Sequence, residues 1–227
     1  MSSSLFLPDA AIIDLDGTLV DTLGDFVAAL NLMAAELQGS APDVTPFNTA
    51  RVDNMVGKGS EHLVMLALRH LGLDAGLHAD ALAAYQRQYS RINGQYSNVY
   101  PGALEGLQQL KAQGVALACL TNKPLAFAKE LLALKKLDGF FPVVFGGDSF
   151  ERKKPDPLPL IRTCEALGTV PARTLMLGDS SNDAQAARAA ACPVVLVTYG
   201  YNHGEPVRAV DADGFVDSIA DLMALLK

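Results

Sequence analysis

The chain has 227 residues, half of them hydrophobic, so it can bury a core large enough for one large domain or two smaller ones. Its formal net charge of -7 argues against a general nucleic-acid binder, because the phosphates of DNA and RNA repel an acidic surface. The opening residues MSSSLFLPDA lack the basic and long apolar segments of a secretion signal, and no run of 18 apolar residues follows, so we expect a cytoplasmic protein without a membrane anchor.

The first predicted element is a buried strand, Ala10–Ile13, which leads directly into the acidic segment DLDGTLVD. Asp14 and Asp16 follow this strand at the edge where open α/β sheets bind ligands. Gly17 then lets the backbone turn both carboxylates toward one crevice, which would make a cation site. On its own, Asp-x-Asp-Gly is equally compatible with an ordinary turn at a strand end.

Helical patterns dominate the chain from there to Asn98, and we predict no strand between Leu23 and Asn98. Lys58 lies between two of the predicted helices and is flanked by glycines. It is either a contact for an acidic substrate or a plain surface lysine in a flexible turn. Apolar spacing and glycine breaks predict four helices, at Thr22–Gln38, Thr45–Met55, Ser60–Leu71 and Ala79–Tyr96.

After residue 102, strands and helices alternate, which is the pattern of a doubly wound parallel sheet. The predicted strands are Val115–Leu120, Val143–Phe145, Thr174–Leu177 and Val194–Val197. The predicted helices are Ala103–Gln113, Leu125–Leu134, Pro157–Leu167, Asp183–Ala191 and Ser218–Leu226. We therefore predict an α/β protein, with a doubly wound, parallel, Rossmann-like core (residues 1–17 and 99–227) and an inserted all-α helical cap domain (residues 18–98).

Polar residues follow several of these strands. Thr121 and Asn122 come directly after the second core strand, where a hydroxyl and backbone N–H groups can form a phosphate cradle or simply cap the next helix. Lys154 stands ahead of Pro155, in a basic cluster of an otherwise acidic chain. Asp179 and Asp183 follow a later strand and open a helix.

Taken together, the strand ends bring four carboxylates and one lysine toward a single crevice. The carboxylates of Asp14, Asp16, Asp179 and Asp183 would repel one another unless Lys154 and a divalent cation supplied positive charge. Oxygen-only ligands indicate Mg²⁺, which often shares its coordination with a phosphate. The pattern therefore predicts a phosphoryl-transfer site for a small phosphate monoester.

These segments resemble the four motifs of the haloacid dehalogenase superfamily of aspartyl phosphatases, in the family's order and almost from end to end of the chain. Ile13 is a departure, since the family usually has Phe before the first Asp. Within the superfamily the chain is most similar to the bacterial phosphoglycolate phosphatases, a less specific match. The motifs are DLDGTLVD at Asp14, TNK at Thr121, KP at Lys154 and GDSSND at Gly178.

The resemblance implies that Asp14 attacks phosphorus to form an aspartyl-phosphate. Asp16 would protonate the departing alkoxide and later take a proton from the attacking water. Lys154, rather than Lys153, would tie the phosphate to Asp14. The implied activity is Mg²⁺-dependent hydrolysis of 2-phosphoglycolate.

The resemblance also implies the metal ligands and substrate contacts. Mg²⁺ would be held by Asp14, the backbone carbonyl of Asp16, and Asp179, with Asp183 binding through water or supporting the site. The expected partner is a small phosphate monoester, with neither nucleic acid nor membrane, and the chain is expected to be a monomer or a homodimer. The resemblance assigns phosphate contacts to Thr121 and the Asn122 amide, while Gly17 and Lys58 are candidate substrate contacts from their positions in the sequence.

Other functions compete with this prediction. A dehalogenase would need neither the metal nor the second carboxylate, so Asp16 and Asp179 argue against it. A hexose-phosphate mutase of the superfamily would keep all four motifs, and only product analysis separates it from a phosphatase. A receiver-type signalling domain would be about half as long and would lack the insert, while a catalytically silent phosphate-binding regulator remains a non-enzymatic alternative.

Overall fold

The computed structural model describes residues 5–39 and 46–226. Over these residues the chain forms a six-stranded sheet with helices on both faces and a group of helices inserted after the first strand. The predicted α/β fold class is confirmed. No helix in the described part of the chain is long and apolar enough to cross a membrane.

The large sheet is parallel throughout and has the strand order β5-β4-β1-β6-β7-β8. A separate antiparallel pair is formed by β2 and β3. The strands are β1 (Ala10–Ile13), β2 (Val20–Asp21), β3 (Asn98–Val99), β4 (Ala116–Leu120), β5 (Val143–Phe145), β6 (Thr174–Gly178), β7 (Val194–Val197) and β8 (Gly214–Val216).

Helices α1 to α4 form the insert, and α5 to α8 flank the large sheet. The helices are α1 (Leu23–Gln38), α2 (Thr49–Asp53), α3 (Ser60–Leu71), α4 (His78–Ile92), α5 (Ala103–Ala112), α6 (Leu125–Leu134), α7 (Leu158–Leu167) and α8 (Ser181–Ala190).

Strand β1 lies at the centre of the large sheet. Ala10 is in register with Ala116 of β4 on one side and with Thr174 of β6 on the other. All four residues of β1 are fully buried, which explains why they read as a continuous apolar run rather than an alternating one. Because the three strands are parallel, the residues that follow them meet at one edge of the sheet.

The two faces of β1 contribute to different hydrophobic cores. Ile12 packs in the cluster that includes helices α7 and α8, whereas Ala11 and Ile13 pack in the cluster that includes α5 and α6. Alternate residues of a strand point to opposite faces, so a single apolar run supports both helical layers.

The insert has a core of its own. Helices α1 and α4 pack along each other, and the ring of Tyr89 stacks on that of Phe26, at a centroid distance of 5.7 Å, and on that of Tyr85, at 5.6 Å. The two connections to the sheet run side by side, because β2 pairs with β3 through Val20 with Val99 and Asp21 with Asn98. The domain boundaries after residues 17 and 98 stay a prediction, and the second of them falls within β3.

Several predicted boundaries differ from the structure. The helix predicted over Ala79–Tyr96 ends at Ile92, because Gly94 adopts a φ of +84° and donates its N–H to Asp25 Oδ2. The helix predicted over Ser218–Leu226 is a 3₁₀-helix, Ile219–Ala224, preceded by the unpredicted strand β8. Of the helix predicted from Thr45 to Met55, the structure has only α2, and Thr45 lies outside the described residues.

Candidate active site

Three carboxylates converge at the edge of the sheet where β1 and β6 end. Asp14 follows β1, Asp179 follows β6, and Asp183 lies in the first turn of α8. One oxygen atom from each of the three lies within 4.8 Å of the others. A set of three carboxylate oxygens suits a hard divalent cation such as Mg²⁺. The set therefore fits the ion expected from the sequence.

Lys154 lies among these acids. Its side chain is 2% exposed, and its ammonium contacts Asp183 Oδ1 at 2.7 Å, Asp14 Oδ1 at 3.1 Å and the carbonyl oxygen of Leu120 at 2.9 Å. Burial alone would lower the pKa of Lys154, but the two carboxylates outweigh burial and raise it. Lys153 instead pairs with Glu61 at 2.8 Å, so Lys154 is the lysine that faces the acids.

The charge of this cluster is not balanced by Lys154 alone. Burial raises the pKa of Asp14 to about 7; the charge of Lys154 opposes this shift, and those of Asp183 and Asp16 add to it. Burial, followed by the charges of Asp183 and Asp14, also raises the pKa of Asp179 well above its ordinary value. Without a cation, these carboxyl groups therefore hold protons more tightly than free ones. A bound divalent cation would replace that protonation.

Both oxygens of Asp183 have protein partners. Oδ1 accepts from Lys154, and Oδ2 accepts from the Ser180 hydroxyl at 2.8 Å and the Ser180 N–H at 3.1 Å. The Ser180 and Asp183 side chains form a capping box at the start of α8. Asp183 therefore fixes both Lys154 and the turn that carries Asp179.

Asp179 is held by two residues from other segments. Its Oδ2 accepts the N–H of Tyr201 at 2.6 Å, and its Oδ1 accepts the hydroxyl of Thr18 at 3.2 Å. The Tyr201 hydroxyl also bonds Asp21 and accepts the N–H of Thr22 at 2.9 Å. Tyr201 thus joins Asp179 to the start of the insert, a role that its sequence position did not suggest.

Gly17 provides space for Asp179 rather than a hydrogen-bond donor. Its φ is +82°, and a Cβ atom added there would lie 2.2 Å from Asp179 Oδ2. Its N–H donates to the carbonyl oxygen of Val20 at 2.9 Å. The substrate contact predicted for Gly17 is therefore not made through this N–H in the described conformation.

Thr121 and Asn122 follow β4 next to these acids. The Thr121 hydroxyl oxygen accepts the N–H of Lys123 at 3.2 Å, which leaves its O–H able to donate to a phosphate. The Asn122 amide donates to the carbonyl oxygen of Lys154 at 2.8 Å and to that of Gly57 at 3.1 Å. Asn122 thus connects the core with the loop between α2 and α3.

Asn182 makes a second bond to that loop, since its amide also donates to the carbonyl oxygen of Gly57 at 3.1 Å. We call the two bonds from Asn122 and Asn182 to Gly57 the Gly57 latch. The latch lies next to the acids, because Asn122 follows Thr121 and Asn182 precedes Asp183. It holds the insert against the core.

Lys123 is a second buried lysine, and the sequence analysis assigned it no role beyond its place in a motif. Its side chain is 3% exposed, and its ammonium contacts Asp16 Oδ1 at 2.9 Å. The same ammonium lies 4.8 Å from the ring centroid of Phe26 and 4.7 Å from that of Tyr89. Both rings belong to the insert, so distant segments provide the surroundings of Lys123.

A pocket lies between the acids and the insert, with a cavity volume of about 40 Å³, room for only a few water molecules. Lys58 is exposed and does not line the pocket, although its neighbours Gly57 and Gly59 do. The described conformation therefore does not place Lys58 where the sequence analysis expected it. The insert contributes the apolar and aromatic walls Phe26, Val56, Leu63 and Tyr85.

Comparison with known proteins gives consistent matches. The model of the haloacid dehalogenase-like hydrolases matches residues 8–191. The chain is 43% identical over 215 residues to a phosphoglycolate phosphatase of Thiobacillus denitrificans, covering 93% of this chain and 92% of the relative. It is 44% identical over 218 residues to a plasmid-encoded phosphoglycolate phosphatase of Cupriavidus necator, covering 96% and 92%.

Solved structures share the whole architecture. A crystal structure of a predicted phosphoglycolate phosphatase from Haemophilus somnus has a TM-score of 0.85 at 32% identity, covering 96% of this chain and 98% of that one. The structure of CbbY from Rhodobacter sphaeroides in complex with phosphate has a TM-score of 0.79 at 25% identity, covering 95% and 96%.

Proposed function

Because the chain belongs to the haloacid dehalogenase-like hydrolases and is a phosphatase, we propose that it hydrolyses 2-phosphoglycolate to glycolate and phosphate with the help of Mg²⁺. The observation that carries this proposal is the convergence of Asp14, Asp179 and Asp183 around Lys154 at one edge of the sheet. The relatives named phosphoglycolate phosphatases, which align over more than 90% of the chain, support the choice of substrate.

In the first step, Asp14 attacks the phosphorus atom, a bond forms between its carboxylate oxygen and phosphorus, and the bond from phosphorus to the ester oxygen breaks. Leu15 N–H at 2.7 Å and Lys154 at 3.1 Å hold Asp14 Oδ1, which orients the carboxylate and leaves Oδ2 to attack. Asp16 donates a proton to the departing alkoxide.

In the second step, water attacks the phosphorus atom of the aspartyl-phosphate, and Asp16 takes the proton that this water releases. The bond between Asp14 and phosphorus breaks, which returns the free carboxylate and releases inorganic phosphate. The enclosed pocket under the Gly57 latch keeps bulk water away during the first step.

Asp14, the backbone carbonyl of Asp16, and Asp179 would hold Mg²⁺, which would supply positive charge at the phosphate when bound. The ammonium of Lys154 lies beside Asp14 and reduces the repulsion between the Asp14 carboxylate and the phosphate. Thr121 donates its hydroxyl, and the backbone N–H of Asn122 donates beside it. Asp183 supports the site by fixing Lys154 and the turn before α8.

A panel of phosphate monoesters tests this proposal. We expect the purified protein to release phosphate from 2-phosphoglycolate in preference to hexose phosphates, and a chelator to stop the reaction until Mg²⁺ is restored. The reaction mixtures should also be analysed for isomerised sugar phosphates. A flat or hexose-favouring profile would contradict the substrate, isomerised sugar would identify a mutase, and no turnover of any ester would favour a regulatory protein.

A further inference from the structure

Lys123 is the single lysine or arginine among the described residues that line the pocket. Lys154 contacts Asp14 and Asp183 behind the lining. Lys58, the cation that the sequence suggested for an acidic substrate, is exposed and outside the lining. An anionic group on the leaving side of a substrate would therefore meet the charge of Lys123.

The ammonium of Lys123 has bonding capacity to spare. It carries three N–H donors. Among the described residues it donates to one oxygen atom, Asp16 Oδ1, at 2.9 Å. The rings of Phe26 and Tyr89 stabilise the positive charge through their faces but accept no conventional hydrogen bond. A substrate carboxylate can take the remaining donors in a nearly dry environment, where such bonds are strong.

The leaving group of the substrate is short, which places its carboxylate near the Lys123 ammonium. Asp16, as the proposed acid, contacts the ester oxygen of the leaving group. In 2-phosphoglycolate a single CH₂ group separates that oxygen from the carboxylate carbon, so the carboxylate cannot lie far from Asp16. Lys123 is bonded to Asp16 and stands at the same point of the pocket.

The rest of the pocket favours a small leaving group. Its insert side consists mainly of apolar and aromatic side chains, including Phe26, Leu63 and Tyr85, which offer few partners for the hydroxyl groups of a sugar. The charge of Lys123 and these apolar walls therefore favour the same kind of molecule, a carboxylate without sugar hydroxyl groups.

We propose that Lys123 binds the carboxylate of the leaving group and makes the enzyme selective for 2-phosphooxy carboxylates. This inference rests on the proposed phosphatase reaction and adds the residue that decides its substrate class. It assigns to Lys123 the contact that the sequence analysis assigned to Lys58.

A matched pair of substrates tests the proposal, namely 2-phosphoglycolate and its carboxamide, which has nearly the same shape without the negative charge. In Lys123→Met, the ratio of kcat/KM for the acid to kcat/KM for the amide should fall about 10- to 100-fold, as expected for a lost charge-assisted bond. Lys123→Arg should retain most of the ratio, and the matched control Lys58→Met should leave it unchanged.

If Lys123→Met also disturbs Asp16, kcat/KM falls by the same factor for both substrates and the ratio does not change. An unchanged ratio in Lys123→Met would overturn the proposal, and so would a fall in Lys58→Met of the size predicted for Lys123. Assays of the wild type test the proposed reaction separately. If the wild type hydrolyses other monoesters but neither member of the pair, 2-phosphoglycolate is not the substrate, whatever the variants show.

A second measurement does not require a folded Lys123→Met protein. In the wild type, the NMR signal of the Lys123 ammonium, assigned by its loss in Lys123→Arg, should shift when glycolate is added and stay in place with glycolamide. A shift with neither compound, or an equal shift with both, would overturn the proposal.

Discussion

Asp14 owes its properties to residues that are distant in sequence. Leu15 N–H and Lys154 fix one carboxylate oxygen, while burial and the charges of Asp183 and Asp16 raise its pKa to about 7 against the opposing charge of Lys154. Such a carboxylate is oriented for attack, but its negative charge is not balanced unless a cation is bound.

Replacing Asp14 by Asn tests its role as nucleophile. We expect phosphate release to fall at least about a thousandfold, because an amide cannot form the covalent intermediate. The fold should remain intact, since Asn is nearly isosteric with Asp. Turnover and the far-UV circular dichroism spectrum measure the two effects.

The control for this substitution is Glu151→Gln, which removes an exposed carboxylate from the loop that carries Lys154. It should keep nearly full activity. Turnover of Asp14→Asn close to that of the control would remove Asp14 as the nucleophile.

The sequence predicted the meeting of Asp14 and Asp179, because both follow strands of a parallel sheet and such strand ends share one edge. It could not predict the surroundings of Lys123 or the position of Tyr201. The rings beside Lys123 come from α1 and α4, and their placement depends on how the insert packs on the core. Local patterns carry no information about such packing.

At the scale of elements, the loop between α2 and α3 makes a polar contact with the acid-bearing edge. Gly57 offers one carbonyl oxygen to Asn122 and Asn182, each at 3.1 Å. Both donors lie in segments that follow core strands, so the loop is held from two sides. The latch therefore couples closure of the insert to the same segments that carry the site.

Removing one bond of the latch should loosen the insert. Asn182→Ala also removes the contact of the Asn182 amide with His203 Nε2, at 3.1 Å, which lies within the core. The loss of the latch bond, a neutral hydrogen bond of about 1 kcal/mol, should shift the opening equilibrium roughly fivefold. Hydrogen exchange at residues 57–59 should accelerate by a similar factor, and KM for 2-phosphoglycolate should rise.

Gln88→Ala provides the comparison, because it removes an amide hydrogen bond to Glu36 that lies wholly within the insert. Exchange at residues 57–59 should not change in this variant. Equal exchange rates in the wild type and Asn182→Ala would show that the latch does not hold the insert.

Elements with a clear signal in the sequence were predicted most accurately. Helices α3 and α6 have the predicted bounds, because each has at least ten residues in one helical period and a glycine or proline directly before it. Strands β5 and β7 also have the predicted bounds, because each is a short apolar run. Strands β2, β3 and β8 have two or three residues each, too few to show any period. They are strands because neighbouring segments pair with them.

At the scale of the whole molecule, the unbalanced charge at the site links stability to pH when no metal is bound. The folded-state pKa of Asp14, about 7, lies above its ordinary value of 3.8. Its contribution to stability is therefore fully present at low pH and is lost as the pH rises through 7. The raised pKa of Asp179 acts in the same direction.

We therefore expect that, in chelator, the stability of the wild type relative to Asp14→Asn falls between pH 5 and pH 8, by an amount on the order of a few kcal/mol. Thermal unfolding of both proteins across this range measures the difference. Mg²⁺ should remove most of the fall, because the ion replaces the protons.

The difference in stability between the wild type and Asp14→Asn separates the effect of Asp14 from that of other titrating groups. Burial lowers the pKa values of His62 and His203, which makes stability rise with pH, but it does so in both proteins. A difference that is constant or that grows with pH would contradict the prediction.

The register of the central strand also bears on the order of folding. Strand β1 is synthesised first, yet its partners at Ala116 and Thr174 emerge only after the whole insert. The insert helices pack mainly on one another, α1 on α4 above all, so the insert can fold once α4 has been synthesised, whereas β1 must wait with both of its edges unpaired. Folding during synthesis should therefore begin in the insert, and the acid-bearing edge should be assembled last.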